Sequence, residues 1–258
     1  MIKTIASCLV FLGAGFAASA QSPFDGTWKT NTAQTKYSPK PNVFYTSQGW
    51  YHCVSCNPAF DVKADGSDQT VSGQSYDAIS VKESDPNTIS VSAKKDGKPD
   101  FEQTRSVSAD GKTLTIKVTA HSMAGDQTLT STVTAKRTGI KPSGVHATSG
   151  EWQIVKVEES ENGVTTTYKV DGDQLTMSTP MGESFTAKLD GTDATTKGIF
   201  GFDTVSVKKI NDHTLEVTEK RNGSVVEVNK MTVSGKTMTI VADNKVTGRT
   251  NTYTAAKK

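Results

Sequence analysis

The chain has 258 residues, with 29 Lys and Arg against 27 Asp and Glu, a formal net charge of +2 at pH 7. A balance this close to neutral gives no electrostatic footing for nucleic acid or anionic lipid. Hydrophobic residues make up 34% of the chain, and beyond the N-terminus no run is long and apolar enough to span a bilayer.

The first twenty residues read as a signal peptide. Lys3 supplies the positive start, Ile5 to Phe16 the apolar run, and Ala18-Ser19-Ala20 the small-residue cleavage site. A lipid on Cys8 is the rival reading, but too little apolar sequence precedes that cysteine. Cleavage after Ala20 removes Lys3, takes the net charge to +1, and predicts an exported protein, periplasmic or extracellular. The remaining chain holds five leucines, while Thr, Ser, Val and Lys dominate. Thr and Val suit pleated, half-buried surfaces.

Asp25-Gly26-Thr27-Trp28 opens the folded region. Next comes the densest aromatic cluster, Phe44, Tyr45, Trp50 and Tyr51, followed at once by Cys53 and Cys56. In an oxidising compartment the default for those two cysteines is a disulfide. The alternatives are a redox dithiol, or zinc held by His52, Cys53, Cys56 and a fourth residue supplied by folding. Alternating segments then follow. Leu114, Ile116 and Val118 alternate with Thr115 and Lys117, and Leu129, Ser131, Val133 and Ala135 alternate with Thr130, Thr132 and Thr134. Period two with one apolar face predicts strands. Asp65-Gly66, Asp96-Gly97, Asp110-Gly111, Asp171-Gly172, Asp190-Gly191 and Asn222-Gly223 supply the tight turns between them.

The chain then repeats itself. Ser149-Gly150-Glu151-Trp152 returns 124 residues after the first Trp motif, and Ser206-Val207-Lys208 returns 126 residues after Ser80-Val81-Lys82. Gly235-Lys236-Thr237-Met238-Thr239-Ile240 answers Gly111-Lys112-Thr113-Leu114-Thr115-Ile116 at 124. A period this long is a duplicated domain, not a solenoid. The reading is therefore all-β, with domains at 21–138 and 148–258 joined by a linker at 139–147. Each domain is predicted to be an antiparallel up-and-down barrel of about eight to ten strands, since closure removes exposed sheet edges. A sandwich is the alternative.

Two Gly-x-Trp motifs, each on the first strand of its repeat, resemble the lipocalin and wider calycin signature. The resemblance implies that Trp28 and Trp152 pack at the closed ends of the barrels. A basic residue from each last strand would lie over the indole: Arg137, which ends the first repeat, and Lys257, which ends the second. The chain is also similar to a group of bacterial secreted proteins. Gly26 to Asn31, Lys36-Tyr37-Ser38-Pro39, Lys94 to Gly97, Asp110 to Thr115 and Asp203 to Lys208 carry that likeness. It implies fold and export but no activity, so there are no catalytic residues to carry over.

No Ser/His/Asp order, phosphate loop or calcium loop is present, and His121, His146 and His213 show no metal spacing. No cofactor and no metal are implied. The sequence leads to a non-enzymatic binding protein that holds a small apolar or amphipathic ligand in one barrel, preferably the first. Phe44, Tyr45, Trp50 and Tyr51 are its candidate binding residues. The second reading is a cell-envelope interaction protein that binds protein or polysaccharide through its surface, with filled barrels.

Overall fold

A computed structural model describes residues 21–258, except Met123, Lys141 and Phe200. The proposed signal peptide lies outside the described residues. The first half contains β1 (Gly26–Thr30), β2 (Asn42–Ser47), β3 (Trp50–Cys53), β4 (Phe60–Lys63), β5 (Gln69–Thr70), β6 (Ala78–Asp85), β7 (Thr88–Lys95), β8 (Lys98–Val107), β9 (Thr113–His121) and β10 (Thr128–Arg137). The second contains β11 (Gly150–Glu159), β12 (Thr165–Asp171), β13 (Gln174–Ser178), β14 (Ser184–Lys188), β15 (Asp190–Lys197), β16 (Thr204–Asn211), β17 (Thr214–Arg221), β18 (Ser224–Ser234), β19 (Thr237–Asn244) and β20 (Arg249–Lys257).

These strands form two ten-stranded antiparallel barrels, as the alternation predicts. The barrels do not share boundaries with the sequence repeats. β2 to β11 make the first barrel, and β12 to β20 close on β1 to make the second. Each Gly-x-Trp strand therefore sits in the barrel built mainly from the other repeat. Trp28 lies opposite Thr166 and Lys257, and Trp152 opposite Asn42 and Arg137. This corrects the expected division at 138 and 148. The physical reason is that the two first strands carry the same Gly-x-Trp pattern, so each can complete either barrel. Residues 31–41 carry the chain across from β1 to β2. On the way Lys36 pairs with Thr252, and Arg249 Nη2 donates to Pro41 O at 2.6 Å.

The two cores are built from equivalent positions. Ile79, Val81, Ile89, Val91 and Leu114 are buried in the first barrel, and Val205, Val207, Leu215, Val217 and Met238 in the second. On β7 only alternate residues, Ile89, Val91 and Ala93, are fully buried, the period of a one-faced strand.

Closure differs between the barrels. In the second, Ser184 pairs with Lys197 and Phe185 with Thr196, which joins β14 to β15. In the first, β4 and β5 are the two ends of the sheet. There a side chain replaces the missing ladder. Gln69 Nε2 donates to Lys63 O at 2.9 Å, and Lys63 N donates to Gln69 Oε1 at 2.8 Å.

Candidate binding cavity

In each barrel a cation covers an indole. Arg137 Cζ lies 4.0 Å from the centroid of Trp152, and Lys257 Nζ lies 5.4 Å from that of Trp28. Such stacking contributes about 0.5–2 kcal/mol, with more from the planar guanidinium. Each Trp Nε1 donates, at 2.8 Å, to a carbonyl four residues earlier: Phe24 O for Trp28 and Thr148 O for Trp152. Arg137 also donates to the carbonyls of Gly111, Ser149 and Ala147. The glycine of the motif makes room for the cation. A Cβ on Gly150 would stand 2.2 Å from Arg137 Nη1, and one on Gly26 would stand 2.7 Å from Lys257 Cε.

Above Trp152 the first barrel is open inside. A cavity of about 590 Å³ reaches down to Trp152 and Leu114 and is walled by Phe44, Tyr51, Ile116, Val118, Val133 and Ile154. Ladder register explains the wall. Val107, Leu114 and Ala135 form the lowest inward row, Arg105, Ile116 and Val133 the next, and Gln103, Val118 and Ser131 the third. Leu114 and Ala135 are buried, but Ile116, Val118, Val133 and Ile154 are only half-buried although they face inward. A volume of this size is typical of small-molecule sites.

The second barrel supplies the far side of the mouth, with Phe202, Arg221, Val226, Glu227 and Arg249. The Cys53–Cys56 disulfide is formed and both half-cystines line the rim. The residue that follows it touches the second barrel, where Asn57 Nδ2 donates to Val246 O at 2.8 Å. His52 points to the other face of β3, where Nδ1 meets Asp61 Oδ1 at 2.8 Å.

The expected aromatic cluster divides by strand parity. Phe44 and Tyr51 are buried and line the cavity, with ring centroids 5.8 Å apart. Tyr45 and Trp50 occupy the alternate, outward positions, and Trp50 is 43% exposed. The structure thus brings two of the four candidates into the site.

The central polar group is Arg105, which sequence reasoning missed. Its guanidinium lies 4.9 Å from the Phe44 centroid and 5.9 Å from that of Tyr51. Nη1 donates to Tyr51 Oη at 2.8 Å, while Nε and Nη2 donate to Gln103 Oε1 at 2.9 and 2.8 Å. Among the described residues it pairs with no carboxylate. The available signal was parity, because Phe101, Gln103, Arg105 and Val107 share one face of β8. The same signal marks Glu219, which follows the buried Leu215 and Val217 along β17. Burial pushes the Glu219 carboxyl up to about 8 and Glu227 opposite adds to this, partly offset by a hydrogen bond from Asn229.

Comparison of the chain with protein families, with curated proteins and with solved structures finds no match.

Proposed function

We propose that the protein is an exported, non-enzymatic binding protein that holds one small apolar or amphipathic ligand in the first barrel. The observation that carries this reading is the set of inward-facing apolar side chains, Ile116, Val118, Val133 and Ile154, that stay half-buried around an interior space. A side chain that faces inward and is not fully covered by neighbours leaves apolar area for a ligand to cover. The segment Met1 to Ala20 and the Cys53–Cys56 disulfide support export. A role in binding envelope protein or polysaccharide by the surface needs no such space, and of the four clustered aromatics Trp50 alone is exposed.

Native mass spectrometry of the protein purified from its own host tests the reading, followed by a panel of lipids, haem and pigments. The expected result is one retained or acquired small molecule per chain. An empty protein across the whole panel overturns it.

A further inference from the structure

We infer that the ligand is an anion-headed amphiphile, a carboxylate or sulfonate on an apolar body, and that Arg105 holds its head. This deepens the cavity reading and rests on it.

The position of Arg105 carries the argument. It stands one row above the buried Val107, Leu114 and Ala135, beside Ile116 and Val133. Two aromatic rings and an amide oxygen hold it there, and none of them cancels its charge. Three of its five N–H groups are engaged, to Tyr51 Oη and to Gln103 Oε1, which leaves one N–H on each terminal nitrogen. Arg105 is half-buried and hydrogen-bonds only to neutral partners, which leaves its charge for an anion in the cavity to meet, and a planar fork with donors to spare matches a carboxylate or sulfonate oxygen pair.

The surroundings fix the rest of the ligand. Ile116 and Val133 stand level with Arg105, Ile154 one row deeper and Val118 one row further out, and the mouth adds Phe202 and Val226. The apolar body therefore lies along this wall, with the head at Arg105. Two further guanidiniums, Arg221 and Arg249, line the mouth. The carboxylate of Glu227 opposes them there and accepts from Asn244 Nδ2 at 3.2 Å. Glu219 lines the cavity as well, so three guanidiniums face two carboxyl groups there.

Two fluorescent probes with one aromatic skeleton test the inference: 1-anilinonaphthalene-8-sulfonate and its uncharged parent, N-phenyl-1-naphthylamine. The wild-type chain is expected to bind the sulfonate at least tenfold more tightly than the parent, with dodecanoate displacing it and dodecanol displacing it poorly. Arg105→Gln is expected to erase that preference, read as the ratio of the two affinities in the variant. Equal wild-type affinities, or a preference for the uncharged probe, overturn the anion inference and leave the cavity reading standing. If neither probe binds, both readings fail. The wild-type comparison needs no variant to fold, and the thermal transition of Arg105→Gln shows whether its own result is admissible.

Discussion

Arg137 ends β10 and covers Trp152, which lies fifteen residues further along the chain and is the last indole laid into the first barrel, 4.0 Å beneath the guanidinium carbon. Lys257 covers Trp28 from the other end of the chain. Each pair thus joins a last strand to the Gly-x-Trp strand that the sequence repeat would have assigned to the other barrel. The N-terminal strand is consequently a structural part of the C-terminal barrel.

The exchange predicts where damage appears. Trp28→Ala removes a fully buried indole and is expected to cost about 3–5 kcal/mol. The loss of amide protection should fall on β12–β20 and not on β2–β10. Trp152→Ala should show the reverse pattern. Hydrogen exchange resolved by peptide checks this, and loss of protection confined to the first barrel in Trp28→Ala would contradict the exchange.

The glycine of each motif gives a second prediction. Gly150 has φ +139 and no room for a Cβ beside Arg137, whereas Gly97 has φ +75 and nothing within 4 Å. Gly97→Ala should cost about 1 kcal/mol, from backbone conformation alone. Gly150→Ala should cost roughly 2–4 kcal/mol, because the cation must also leave its indole. Urea denaturation of the two variants measures the difference, and equal costs would show that Arg137 does not need the space.

Glu219 sets a pH dependence whose sign follows from its raised pKa. Its ordinary value is 4.5 and its value in the fold is about 8. Between those two pH values the folded state holds a proton that the unfolded state has released. The penalty therefore grows as pH rises from 4.5 and levels off above 8, reaching on the order of a few kcal/mol. Glu219→Gln is expected to be more stable than wild type at pH 8 and nearly equal to it at pH 4. Chemical denaturation at the two pH values reads this directly, and an unchanged difference between them would place Glu219 in a wetter site.

Much of this fold was legible because strand alternation and turn glycines are local signals. Leu114, Ile116 and Val118 announce an inward face, and Asp96-Gly97 and Asn222-Gly223 mark the hairpins. The Cys53–Cys56 bridge was likewise readable, because the two cysteines lie three residues apart. Partner choice was not legible. The two Gly-x-Trp strands look alike, and only the path of residues 31–41 across to β2 decides which barrel each one completes. In the candidate site, Phe44 and Tyr51 were found by composition while Tyr45 and Trp50 were gathered with them for the same reason, since composition ignores parity. Arg105 and Glu219 stayed hidden because charged residues on a strand are ordinarily assigned to solvent. Their shared parity with Val107 and with Val217 was the overlooked clue.

The central claim is that the cavity beside Val118 and Val133 is where the ligand sits. Val118→Trp puts an indole into that space from the row beyond Arg105, opposite Gln103. Titration with N-phenyl-1-naphthylamine measures the outcome most directly. The account predicts that binding falls at least tenfold while the thermal transition stays cooperative. Wild-type affinity in that variant would contradict it, because the probe would then be bound somewhere other than the barrel.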